Sequence, residues 1–251
     1  MTRGLYCVAF GGPARACALR MMESAKRHMP DVPIAVCAAS PIGPEDVLVS
    51  QPDSDVGGRR AKLQAYDLAP AEWETVVYLD ADTEIVAPVY TLFRWLESGW
   101  EFLICRDVGE TLHSFQRRNN LEEYVELEKA VGTLWAMQYN GGVWGFRRCS
   151  AARQFLEGWR SEWEVHAQRD QGALIRSLHA HPLRMLILGN EWNTFPKFTP
   201  DVKTAGINHY PGDARRWAGK LPGRIDSQGA WAAVSRHQRL VRLSHPTGGP
   251  K

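Results

Sequence analysis

Short apolar runs alternate with stretches of helical rhythm along the first hundred positions. Residues 5–10, Leu-Tyr-Cys-Val-Ala-Phe, form an unbroken apolar run that reads as a buried strand and stops at Gly11-Gly12-Pro13. Residues 14–28 carry helical spacing and are stopped by Pro30 and Pro33. Further strands are predicted at 34–38 and 47–50, a helix at 60–68, and a strand at 75–79 that runs into Asp80-Ala81-Asp82. This alternation predicts an α/β fold with a mostly parallel central sheet flanked by helices. Such sheets bind ligands beyond the carboxyl ends of their strands, which is where Asp80 and Asp82 fall.

The pattern changes after residue 109. Residues 110–131 are dense in charge, with Leu121, Tyr124, Val125 and Leu127 interrupting in helical rhythm. That spacing predicts a solvated helix, with a lid or acceptor-binding insertion as the alternative. Strands are then predicted at 143–146 and 183–188, and a helix at 150–164 whose Trp159 and Trp163 face the core. The chain of 251 residues has 44% hydrophobic and 23% charged positions, which excludes disorder and a fibrous repeat. Its five cysteines include no CxxC pair, so neither a zinc site nor a disulfide framework is expected. No leader pattern and no run of about 18 apolar residues is seen, so a soluble cytoplasmic protein without a transmembrane segment is expected.

Asp80 and Asp82 stand two residues apart where an apolar strand ends. A surface turn is the ordinary reading of a lone DxD, but bare carboxylates at a buried strand end are costly without a partner. A hard divalent cation such as Mn²⁺ or Mg²⁺, itself bound to phosphate oxygens, would be a suitable one.

Further segments in order carry a resemblance. They are Lys62-Leu63, Asp80-Ala81-Asp82, Asn140-Gly141-Gly142-Val143, Asp170-Gln171-Gly172 and His209-Tyr210-Pro211-Gly212. Together they resemble glycosyltransferase family 8, which includes glycogenin and bacterial lipopolysaccharide galactosyltransferases. The last segment is the most specific: against the family's His-x-x-Gly-x-x-Lys-Pro-Trp, this chain has His209, Gly212 and Trp217 in register, with Arg215 for Lys and Arg216 for Pro. The resemblance spans roughly residues 5–217 and implies a GT-A fold, a divalent metal (Mn²⁺ or Mg²⁺), a UDP-sugar donor and transfer with retention.

On that resemblance Asp80, Asp82 and His209 would be metal ligands, with Asp80 also facing the donor. Asp170, Gln171 and Asn140 would act on the sugar: Asp170 orienting it, Gln171 stabilising oxocarbenium charge, and Asn140 reading hydroxyls with both ends of its amide. A covalent nucleophile at Asp170, or a helix cap there, is the alternative. Gly141 and Gly142 would leave room for the ring. Arg215 would pair the pyrophosphate, Gly212 would let backbone approach it, and Arg59 and Lys62 would contact nucleotide or sugar. Trp192 and Trp217 would line the substrate, although Trp192 reads equally well as packing beneath its loop.

The expected domain plan is a catalytic unit over 1–217, with 110–131 as a helical insertion, and a basic extension over 218–251. The formal charge of +2 hides an asymmetry, because residues 203–251 hold nine Lys or Arg and two acidic residues. Arg236, Arg239 and Arg242 near Trp231 open a second possibility, a modified nucleobase or other polyanionic acceptor; a saccharide, lipid-linked glycan or protein acceptor is the first. Donor sugar (glucose or galactose foremost), acceptor and oligomeric state are not legible. Two other classes compete: a nucleotidyltransferase using Gly11-Gly12-Pro13-Ala14-Arg15 as a phosphate loop, and a non-catalytic nucleic-acid-binding protein on a transferase scaffold.

Overall fold

The computed structural model describes residues 1–51, 57–112, 121–166, 170–196 and 204–211. Strand β1 (Arg3–Val8) is followed by helix α1 (Gly12–His28), then β2 (Ile34–Ala38) and β3 (Val47–Ser50). Two short helices, α2 (Gly57–Leu63) and α3 (Ala65–Leu68), stand where one was expected, divided at Gln64. Next come β4 (Thr75–Asp80), β5 (Thr83–Ile85), α4 (Tyr90–Glu97) and β6 (Phe102–Thr111). The chain continues with α5 (Leu121–Val131), β7 (Met137–Arg147), α6 (Ser150–His166), α7 (Gln171–Ala180), β8 (Met185–Leu188) and β9 (Ile207–His209).

Seven strands form one sheet in the order β3-β2-β1-β4-β7-β6-β8. The pairs β1–β2, β1–β4, β2–β3 and β6–β8 are parallel, whereas β7 runs antiparallel to β4 and β6. The mostly parallel α/β sheet expected from the alternation is therefore present. Strand β7 is longer than the predicted 143–146 and brings Asn140-Gly141-Gly142 to the end of the sheet where β4 delivers Asp80.

Both faces of the sheet are covered, which is why its strands read as unbroken apolar runs. Successive side chains point to opposite faces. Leu5, Cys7, Val77, Leu79 and Leu103 pack beneath α1 and α4. Tyr6, Val76, Tyr78, Phe102, Trp144 and Phe146 pack against the layer holding Phe155, Trp159 and Trp163. Trp159 and Trp163 are core residues, as expected. Pro13 stands in the first turn of α1 and Lys26, Arg27 and His28 fill its last turn, both favoured by the helix's unsatisfied ends and dipole.

Within the charged region residues 121–131 form the expected helix, exposed along much of its length. The region's first two residues end β6, residues 113–120 lie outside the described set, and α5 docks on α7. Leu127 joins Leu112, Leu134 and Ile175 in a small core, and buried Glu123 pairs with Arg176 at 3.5 Å.

Candidate functional site

The two-stranded sheet β5–β9 assembles the site. Strand β5 begins one residue after Asp82 and pairs antiparallel with β9, placing Thr83 opposite His209. The Tyr210 N–H donates to the Asp82 carbonyl at 2.9 Å, locking the register. Behind it lies a polar clamp: Arg20 of α1 forms a buried ion pair with Glu84, whose other oxygen accepts from the Tyr210 hydroxyl at 3.3 Å. This pairing carries the imidazole from the far end of the described chain to the acidic pair.

His209 Nε2 lies 3.4 Å from Asp82 Oδ1 and 3.8 Å from Asp80 Oδ2. Asp80, Asp82 and His209 each offer one ligand atom, all within 4.8 Å of one another. Two carboxylates and an imidazole converging at a strand end form a donor set that suits a divalent ion sharing its shell with phosphate oxygens. The residues therefore fit the metal that the resemblance implies.

Beside this triad sits a buried ionic cluster. Lys62 Nζ is 2.7 Å from Asp170 Oδ2 and 3.6 Å from Asp80 Oδ1, so it bridges the two carboxylates. Burial opposes the charge on Lys62, but Asp170 and Asp80 outweigh it and hold the ammonium pKa above its ordinary value. Burial likewise opposes the charge on Asp170, and Lys62 with exposed Arg59 keeps that carboxyl below its ordinary range. Tyr78 donates to Asp80 Oδ1 at 2.7 Å; burial and then the Asp80 charge hold its pKa well above 10, so the phenol keeps its proton.

These directions give a pH prediction. A carboxylate whose folded pKa is depressed contributes stability that is complete above its unfolded pKa and lost as pH falls through its folded value. Urea midpoints of the native chain are expected to fall as pH drops below the ordinary 3.8 of Asp170. Asp170→Asn should make that acid limb shallower, and an unchanged limb would refute the Asp170 contribution. At the other end, the contribution of Lys62 is lost only as pH rises past 10.5.

Close approach requires a glycine at Gly142 and favours one at Gly141. A Cβ on Gly142 would stand 2.2 Å from His209 Cε1, and one on Gly141 would stand 3.0 Å from Lys62 Nζ. Both glycines thus lie against the Lys62 and His209 side chains. Asn140 is likewise committed within the protein: its Oδ1 accepts from Gly142 N–H at 2.8 Å and from Asn193 Nδ2 at 3.0 Å. Its Nδ2 donates to Asp107 Oδ2 at 3.0 Å. Gln171 Nε2 donates to the same Asp107 oxygen at 2.9 Å and to the Tyr139 carbonyl at 3.3 Å. Asp170 occupies the N-cap position of α7 but makes no side-chain capping bond, so its carboxylate serves Lys62 rather than the helix.

Trp192 is half-buried, meets Trp95 edge-on with ring centroids 5.2 Å apart, and packs against the core. Gly212, Arg215, Trp217 and the basic extension lie outside the described residues. Arg15, which a phosphate loop would aim at a ligand, donates to the carbonyls of Ser40 and Pro41 at 2.8 and 2.6 Å.

Asp107 was not singled out in the sequence, whereas Asn193 was noticed only as the neighbour of Trp192, with no role given to it. Arg106 separates Asp107 from the apolar run Phe102-Leu103-Ile104-Cys105 and Asp107 lies within β6, so it lacks the strand-end placement that marks Asp80. Asn193 adjoins Trp192 but carries no periodic signal.

The α/β sheet, its helical layers and the appended β5–β9 pair form a GT-A fold. The chain is similar to the galactosyltransferase LgtC, solved with donor and acceptor sugar analogues. The match has a TM-score of 0.57 at 16% identity and covers 100% of this chain and 98% of that one. It is also similar to the bifunctional glycosyltransferase WbbM, with a TM-score of 0.61 at 14% identity over 84% of this chain and 46% of that one. A third likeness is to mouse xyloside xylosyltransferase 1, with a TM-score of 0.57 at 12% identity over 84% and 98% of the two chains. No protein-family model and no curated protein sequence matches the chain. Among the described residues, no helix is long and apolar enough to cross a membrane.

Proposed function

We propose that this chain is a metal-dependent, retaining glycosyltransferase of the family 8 type, moving a hexose from a UDP-sugar to an acceptor in the cytoplasm. The observation that carries the proposal is the meeting of Asp80, Asp82 and His209 beside the Lys62–Asp170 pair, at the ligand-binding end of a GT-A sheet. Mn²⁺ or Mg²⁺ held by the triad would supply Lewis-acid stabilisation of the departing UDP. Residues 1–217 form the catalytic unit in this reading, with Gly212, Arg215 and Trp217 completing the pyrophosphate side and 218–251 serving the acceptor.

The roles of the remaining groups follow from their bonds. Asp170 is already neutralised by Lys62, which suits orientation of donor hydroxyls better than covalent attack. Gln171 spends its amide nitrogen on Asp107 and Tyr139, so its oxygen is the end offered to positive charge developing at the anomeric carbon. Departure of UDP on the face that receives the acceptor then gives retention without an enzymic nucleophile.

The test is a UDP-sugar panel with Mn²⁺, reading UDP release and the mass of candidate acceptors (saccharide, lipid-linked glycan, protein and oligonucleotide). UDP release from at least one hexose donor, dependent on metal, is expected. Release of pyrophosphate instead would mean nucleotidyl transfer. Salt-dependent nucleic-acid binding that survives chelation, with no turnover, would mean a binding module.

A further inference from the structure

Four side chains form one hydrogen-bonded series from the sheet to the candidate metal ligands. Asp107 accepts from Asn140, Asn140 accepts from Asn193, and Asn193 Oδ1 faces His209 Nδ1 at 2.9 Å. Asp107, Asn193 and His209 are each at least nine-tenths buried, and Asn140 between them is half-buried.

The direction of the series follows from its ends. A carboxylate only accepts, so the Asn140 group facing Asp107 is its NH₂. A backbone N–H only donates, so the Asn140 group facing Gly142 is its oxygen. These two anchors agree on a single amide orientation. The oxygen so placed draws the Asn193 NH₂ toward it and turns the Asn193 oxygen to His209. An amide oxygen cannot donate, so His209 Nδ1 carries the hydrogen, and Nε2 of the neutral ring keeps its lone pair. That lone pair faces Asp82 Oδ1 at 3.4 Å and Asp80 Oδ2 at 3.8 Å, both of them electron-pair donors. Without the series, an Nε2–H tautomer would donate to Asp82 and cover the ligand atom.

We propose that Asp107 and Asn193 are positioning residues that, through Asn140, hold His209 as the Nδ1–H tautomer and so present its Nε2 lone pair to a divalent cation. This rests on reading Asp80, Asp82 and His209 as the metal ligands. Asp107 reaches its place because the β6–β7 register shifts between Arg106 opposite Tyr139 and Thr111 opposite Met137, a bulge that re-aims the strand. The same carboxylate oxygen holds Gln171, so one residue sets both the metal-ligand tautomer and the amide at the reacting centre.

The experiment uses the full chain and two readouts. In the metal-free protein, at a pH where the ring is neutral, ¹⁵N spectra of His209 should show a protonated Nδ1 and an unprotonated Nε2. Asn193→Leu should shift the ring toward Nε2–H and weaken Mn²⁺ binding, measured by electron paramagnetic resonance, by about 10- to 100-fold, the usual loss for an outer-shell partner. Asp107→Asn, whose amide oxygen can still accept from Asn140, should keep the tautomer and more of the affinity than Asp107→Leu; this isosteric variant keeps the test valid if the leucine variants unfold. A native chain that binds Mn²⁺ with Nε2–H, or an Asn193→Leu variant with native tautomer and affinity, would overturn the proposal alone. A native chain without affinity for Mn²⁺ or Mg²⁺ would overturn the metal reading and this proposal together.

Discussion

Asp82→Ala is expected to abolish Mn²⁺ binding and to lower sugar transfer by at least about a thousandfold, with little change in melting temperature. The carboxylate is buried, leaves the sheet directly after β4, and faces His209 at 3.4 Å. Its main-chain carbonyl, which accepts from Tyr210 N–H, survives the substitution, so the β5–β9 register is retained. A metal that stabilises a leaving diphosphate is worth several kcal/mol, and about 4 kcal/mol corresponds to a thousandfold in rate. Asp80→Ala should cost stability as well, because Asp80 also accepts from Tyr78 and faces Lys62. Measured Mn²⁺ affinity and donor turnover decide the matter; native turnover in Asp82→Ala would remove the metal triad from the mechanism.

Lys62→Met should have the largest effect on stability. It removes the cation between Asp170 and Asp80 and leaves the buried Asp170 carboxylate without its strongest counter-charge. Breaking a buried pair from one side costs roughly 3–5 kcal/mol, which for a chain of this size lowers the melting temperature on the order of 10 °C. The pH dependence supplies a sharper sign. With Lys62 gone, burial governs Asp170 and its folded pKa rises above the unfolded one, so the variant loses stability as pH increases through the carboxylate range. The native pair does the opposite. Melts recorded from pH 3 to pH 7 distinguish the cases, and parallel native and variant profiles would refute the ion pair.

Local chemistry accounts for what could be read in advance. Strands buried on both faces must be apolar throughout, so 5–10, 34–38 and 75–79 declared themselves, and Pro13, Pro30 and Pro33 bounded α1. The strand-end position of Asp80 and Asp82 was visible for the same reason. Tryptophans were less legible: a buried ring and a substrate platform look alike in a string of letters, and the contact of Trp192 with Trp95 had no signal in spacing.

The site's internal wiring was not legible, because hydrogen bonds among Asp107, Asn140, Asn193 and His209 join residues that no spacing relates. By itself the sequence determined the alternation of strands and helices, the acidic strand end and the ordered segments that resemble family 8. Only the tertiary structure decided that β9 lies against β5, that Lys62 reaches over Gly141 to Asp170, and that a backbone N–H and a carboxylate together orient the Asn140 amide. The physical reason is range. Periodicity and turn chemistry act between neighbours in the chain, whereas a buried amide takes its direction from whichever donor or acceptor folding sets against it.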